Sequence, residues 1–175
     1  MEQLLVERYG GESVDKKHSG GGVMWKWLAE AGEERASWVV VTTVRNPYDS
    51  LVSKWNKLLS NHRGKKEGPN AEAARRGEVS FGEWVEQRPP KFAAGWIQRF
   101  TRHCDEVMRF ERLAGDWAAL CEERGWPHHE IPLVNPTVKV AGHGFEAYYT
   151  PEIVAAVRPV FGEFCAAFGY EEPGG

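Results

Sequence analysis

The feature that most constrains the fold is an apolar, β-branched run that leads almost directly into an amphipathic helix. Residues 38–44 (WVVVTTV) are typical of a buried parallel strand, because β-branched side chains occupy both of its faces. Residues 47–60 follow after two residues, and their apolar side chains recur at helical spacing. These side chains are Leu51, Val52, Trp55, Leu58 and Leu59. A strand that turns at once into a helix predicts an α/β fold with a parallel sheet.

The rest of the chain repeats this alternation. Residues 106–110 (EVMRF) predict a second strand, and residues 115–124 predict a helix that Gly125 ends. Residues 61–79 are polar and predict a loop. No internal repeat divides the sequence, so we expect a single domain over residues 1–175.

The C-terminal part carries strong helix signals. Thr150 is a good N-cap, Pro151 suits the first helical position, and Glu152 lies where the helix dipole favours an acid. These signals predict a last helix over residues 151–168, with a kink at Pro159.

Charge and cysteine content limit the class of protein. The net charge of −3 provides no basic field for nucleic acid, so no nucleic-acid partner is expected. Basic clusters at residues 62–66 and 75–76 indicate either a solvated loop or the rim of a site for an anionic substrate. Three widely spaced cysteines and the lack of a long apolar run predict a cytoplasmic protein with no membrane span. The sequence leaves the oligomeric state open.

Arg45 stands where the predicted strand meets the helix N-terminus, which is where ligands of α/β sheets collect. Asn46 is expected to cap the helix, and free main-chain amides and the helix dipole would attract an anion. The planar guanidinium of Arg45 suits phosphate, and Ser53, two turns later, is positioned to donate to the same anion. The alternative is that Arg45 pairs with Asp49 while Ser53 faces solvent.

Residues 45–53 (RNPYDSLVS) resemble the Arg-x-Pro-x-x-x-x-x-Ser motif of sulfotransferases that use 3′-phosphoadenylyl sulfate (PAPS), most closely the carbohydrate-type and bacterial branches. Other stretches resemble family signatures in the same order: VMRFERL, HEIPLVN, YYTPE and the terminal FGY. The resemblance implies a P-loop-type three-layer sandwich with a parallel sheet. It also implies PAPS as cosubstrate, with Arg45 and Ser53 binding its 3′-phosphate.

The same resemblance implies two further site residues. His18, in the run KKHS, occupies the region where related enzymes place the base that deprotonates the acceptor hydroxyl. Lys139 lies in the loop that closes over the nucleotide in the family, and we assign it to cofactor binding. His128, His129 and His143 have no spacing that favours a metal site, so no metal is expected.

The family's phosphate-binding loop, of the type Pro-Lys-Thr-Gly-Gly-Thr-Ser, has no counterpart in the sequence. Residues 1–9 (MEQLLVERY) are similar to the helix that follows this loop in the family. We therefore expect an N-terminally truncated form of the fold, whose natural reading frame starts upstream of Met1 or whose truncation is genuine.

The resemblance implies transfer of a sulfuryl group from PAPS to a hydroxyl of a carbohydrate or small-molecule acceptor. Residues 61–90 are the variable region in which we expect acceptor recognition. The alternative is a non-catalytic, truncated domain that retains a 3′-phosphoadenosine half-site or only an interaction role. A nucleotide kinase is disfavoured, because no Walker A loop is present.

Overall fold

The computed structural model describes residues 26, 28–34, 36, 38–60, 69–87, 101–131 and 144–174. The chain divides into two compact units, Met1–Val44 with Ala93–Asn135, and Arg45–Phe92 with Pro136–Gly175. The elements in chain order are β1 Val41–Val44, α1 Pro47–Ser60, α2 Pro69–Arg75, α3 Phe81–Gln87, β2 Glu106–Arg109, α4 Leu113–Arg124 and α5 Pro151–Phe168. Short 3-10 helices at Phe110–Arg112 and Phe145–Tyr148 precede α4 and α5. The prediction of the α/β class is confirmed.

The first unit is built on the parallel pair of β1 and β2, in register from Val41 opposite Glu106 to Val44 opposite Arg109. Helix α4 packs on β2 and completes a small core. Among the described residues, its buried members are Met108, Trp117, Leu120 and Cys121. The Trp117 indole Nε1 donates to the His129 carbonyl at 3.1 Å, which satisfies the polar atom of a buried aromatic side chain.

Strand β1 is shorter and less buried than the sequence predicts. It begins at Val41, because the amide of Val40 donates to the Asp105 carboxylate at 2.8 Å instead of joining the ladder. Thr43 is exposed, and Val41 and Thr42 are only half-buried. The prediction of a strand buried on both faces is therefore wrong. Among the described strands, β1 has a hydrogen-bonded neighbour in β2 alone.

The second unit has an all-helical core, with α1, α3 and α5 as its main contributors. Its buried members are Tyr48, Leu51, Val52, Trp55, Ala74, Phe81, Val85, Val157, Phe161 and Cys165. Tyr48 is fully buried and makes edge-to-face contacts with Tyr149 and Phe161. The first turn of α1 is therefore held by side chains from the other end of the sequence.

The predicted helices α1 and α5 have the expected bounds. Thr150 caps α5 by accepting from the Ile153 amide at 3.4 Å, and the helix continues through Pro159. The prediction of a loop over residues 61–79 is wrong where α2 forms. Ala71 and Ala74 are buried there, and the Arg75 guanidinium donates to the Leu58 carbonyl at 3.0 Å.

The C-terminal residues are tied to α5 by an ion pair. The Arg158 guanidinium donates to both carboxylate oxygens of Glu172, with its shortest contact at 2.7 Å. The hydrogen bond from Arg158 lowers the pKa of Glu172 below its usual 4.5. Burial, together with the charge of Glu172, raises the pKa of Tyr48 to about 12, so this side chain stays neutral.

Because the pKa of Glu172 is lowered in the folded state, its ion pair stabilises the protein above the unfolded pKa, near 4.5. This stabilisation is lost as the pH falls through the lower, folded pKa. We expect Glu172→Gln to lower the urea midpoint at neutral pH, and to lower it less at an acid pH below the usual pKa of 4.5. Urea titrations across this pH range check the prediction, with Glu171→Gln as the control. A deficit of the same size at both pH values would contradict it.

Candidate functional site

The N-terminus of α1 is capped by Asn46, as predicted. Its side-chain Oδ1 accepts from the amides of Tyr48 at 2.9 Å and Asp49 at 3.4 Å. Its carbonyl accepts from the Ser50 amide at 2.9 Å. This cap fixes the start of α1 at Pro47, two residues after Arg45.

The same cap corrects the prediction that free amides of this helix attract an anion. Pro47 has no amide hydrogen, and the next three amides, through Ser50, are already hydrogen-bonded to Asn46. An anion at this end of α1 must therefore be bound by side chains, with the helix dipole as a weaker contribution.

Arg45, Asp49 and Ser53 form a continuous hydrogen-bonded cluster along α1. The Arg45 guanidinium donates to Asp49 Oδ2 from Nε at 2.9 Å and from Nη2 at 2.6 Å. Arg45 Nη2 also donates to Ser53 Oγ at 2.8 Å. Arg45 pairs with Asp49, as the alternative interpretation predicts, but Ser53 lies against the same guanidinium and is half-buried. The binding of an anion by Arg45 and Ser53 stays a prediction.

Asp49 is buried, whereas Arg45 and Ser53 are half-buried. The side chain of Asp49 is 12% exposed, whereas the side chain of Arg45 is 28% exposed. Asp49 is thus the more enclosed partner of the ion pair, and Arg45 is the more exposed one.

Tyr148, the last residue of the second 3-10 helix, and Tyr149, which follows it, both donate hydrogen bonds to α1. The Tyr149 hydroxyl donates to the Tyr48 carbonyl at 2.9 Å, and burial raises the pKa of Tyr149. The Tyr148 hydroxyl donates to Asn56 Oδ1 at 3.2 Å, one turn beyond Ser53. Sequence reasoning gave these tyrosines no role, although the YYTPE stretch marked their position.

Comparisons with family models, curated proteins and solved structures find no match for this chain. Support for a function therefore comes from the cluster of Arg45, Asp49 and Ser53 and from the resemblance of residues 45–53 to a family motif.

Of the four predicted site residues, the structure brings Arg45 and Ser53 together. His18 and Lys139 lie outside the described residues. Within the described ranges, no group of three or more His, Cys, Asp or Glu side chains is arranged to hold a metal ion. None of the helices described is long and apolar enough to cross a membrane.

Proposed function

We propose that this protein is a PAPS-dependent sulfotransferase that transfers a sulfuryl group to a hydroxyl of a carbohydrate or small-molecule acceptor. Arg45 and Ser53 bind the 3′-phosphate of PAPS. The proposal includes the finer fold, a P-loop-type three-layer sandwich around a parallel sheet.

The observation that carries the proposal is the 2.8 Å contact between Arg45 Nη2 and Ser53 Oγ. A single phosphate can accept from two side chains only when their donors lie a few ångströms apart. These two donors come from positions eight residues apart in sequence, and α1 places them side by side. An ion pair between Arg45 and Asp49 alone would not explain why Ser53 also lies against the guanidinium.

The chemistry of the donors fits a phosphate monoester. The Arg45 guanidinium is planar and permanently charged, and it forms strong charge-assisted hydrogen bonds with phosphate oxygens. The Ser53 hydroxyl adds a neutral donor that can rotate toward the same oxygen. Since the main-chain amides of the first turn are already bonded, these side chains are the determinants of binding at this end of α1.

In the proposed reaction, the acceptor oxygen attacks the sulfur of PAPS. The new S–O bond forms as the bond between sulfur and the 5′-phosphate oxygen breaks, and adenosine 3′,5′-bisphosphate leaves. His18 takes the proton of the acceptor hydroxyl, as a histidine with a pKa near neutrality is suited to do. Lys139 provides a second basic contact to the nucleotide.

The reaction is tested by incubating the full chain with PAPS and a panel of hydroxylated acceptors. The release of adenosine 3′,5′-bisphosphate is then measured by chromatography. We expect release that depends on the acceptor and falls at least about 100-fold in His18→Ala. Binding of adenosine 3′,5′-bisphosphate without turnover on any acceptor would support the non-catalytic alternative. Absence of both binding and turnover would overturn the proposal.

A further inference from the structure

The Arg45–Asp49 contact has a geometry that a simple ion pair does not require. Both Arg45 donors, Nε at 2.9 Å and Nη2 at 2.6 Å, converge on the same carboxylate oxygen, Oδ2 of Asp49. The second donor, Nη2, also reaches Ser53 Oγ at 2.8 Å. One oxygen atom of Asp49 therefore fixes both the plane of the guanidinium and the distance of its outer nitrogen from the serine.

We propose that Asp49 is a positioning residue for 3′-phosphate binding, acting through Arg45. Its Oδ2 atom accepts two hydrogen bonds and presents the guanidinium to the ligand in the orientation seen beside Ser53. This inference rests on the proposed function of Arg45 and Ser53. Asp49 itself has no contact with the phosphate in this proposal.

The surroundings of Asp49 suit this role. Asp49 is 9% exposed and lies in the first turn of α1, where its amide donates to the Asn46 cap. The Arg45 side chain is more exposed, at 28%, and arginine has many rotamers. Because Asp49 already orders the Arg45 side chain, less conformational entropy is lost when the ligand binds.

The negative charge of Asp49 acts against phosphate binding, because like charges close together repel. The benefit of Asp49 must therefore come from the geometry of its acceptor oxygen and not from its charge. Asparagine keeps one carbonyl oxygen in nearly the same place and removes the charge. Alanine removes the acceptor, and leucine removes it while keeping a similar volume.

These roles are separated by calorimetric titration of the full chain with adenosine 3′,5′-bisphosphate. We expect Asp49→Asn to bind within about threefold of the wild type, and Asp49→Ala and Asp49→Leu to bind about tenfold or more weakly. In the Arg45→Ala background, Asp49→Ala should cause no further loss, because its effect passes through Arg45. Thermal unfolding of each variant reports whether the fold is retained, and Asp49→Asn keeps both size and polarity.

Three results would overturn the inference. The first is wild-type affinity in both Asp49→Ala and Asp49→Leu. The second is a tenfold loss in Asp49→Asn, which would assign the effect to charge. The third is a further loss from Asp49→Ala when Arg45 is already alanine. If the wild type binds and Arg45→Ala binds measurably more weakly, any one of these results removes the role of Asp49 alone. If the wild type itself fails to bind, the proposed function fails as well.

Discussion

Replacing Arg45 with alanine is expected to weaken the binding of adenosine 3′,5′-bisphosphate about 100-fold or more, as truncation of a hydrogen-bonded charge does. Two losses add in this variant. The phosphate loses its charge-assisted donor, and the Asp49 side chain, 12% exposed, loses the guanidinium that donates to it at 2.6 Å. The negative charge of Asp49 then stands near the bound phosphate without that cation.

The measurement is isothermal titration calorimetry of the full chain, with Arg76→Ala as the matched control. Arg76 lies in the same unit and pairs with Glu78 at 2.6 Å, so its removal subtracts one positive charge elsewhere. Ser53→Ala removes a neutral donor and is expected to weaken binding about fivefold. Equal affinities for the wild type and Arg45→Ala would refute the assignment of the 3′-phosphate to this arginine.

The largest expected effect on stability comes from Phe161→Ala. Phe161 is fully buried in α5, and its ring meets the ring of Tyr48 edge to face at 5.1 Å. Removing it leaves a cavity between α5 and the first turn of α1 within the second unit. We expect a loss of about 3–5 kcal/mol in the free energy of unfolding.

The urea midpoint, followed by tryptophan fluorescence, measures this loss. Phe110→Ala is the matched control, because Phe110 is 48% exposed and the same ring is removed from a more open position. We expect the control to lose about 1–2 kcal/mol in the free energy of unfolding, because about half of the Phe110 residue is already exposed to solvent. A midpoint shift in Phe161→Ala no larger than that of the control would contradict the assigned core.

Helices α1 and α5 of the second unit were predictable because their N-terminal ends are specified locally. Asn46 before Pro47, and Thr150 before Pro151, provide cap and first-turn signals within a few residues, and the observed caps use these same side chains. The apolar spacing in α1 likewise predicted its buried face, including Leu51, Val52 and Trp55.

The sequence predictions are wrong where a residue distant in sequence determines the local structure. The ladder of β1 begins late because Asp105, 65 residues away, binds the Val40 amide through its side chain. Helix α2 forms in a polar stretch where the Arg75 side chain bonds to a carbonyl 17 residues earlier. Neither contact leaves a periodic pattern in the local sequence.

The candidate site was predictable in part, because some of its contacts follow from local helical spacing. The approach of Arg45 and Ser53 follows from helical spacing, and Asp49 was recognised as an alternative partner of Arg45. That Arg45 contacts Asp49 and Ser53 simultaneously depends on the side-chain rotamers that the structure shows. The bonds of Tyr148 and Tyr149 to α1 span 92 and 101 residues, and no local pattern predicts them.

The binding of a 3′-phosphate is tested most directly by titrating the wild-type chain with two nucleotides that differ only in that group. Adenosine 3′,5′-bisphosphate carries it, and adenosine 5′-monophosphate does not. If Arg45 and Ser53 bind the 3′-phosphate, the bisphosphate should bind about 100-fold more tightly or better, because this group accepts from one charged and one neutral donor. Equal affinities for the two nucleotides, or no binding of the bisphosphate, would contradict the proposed site.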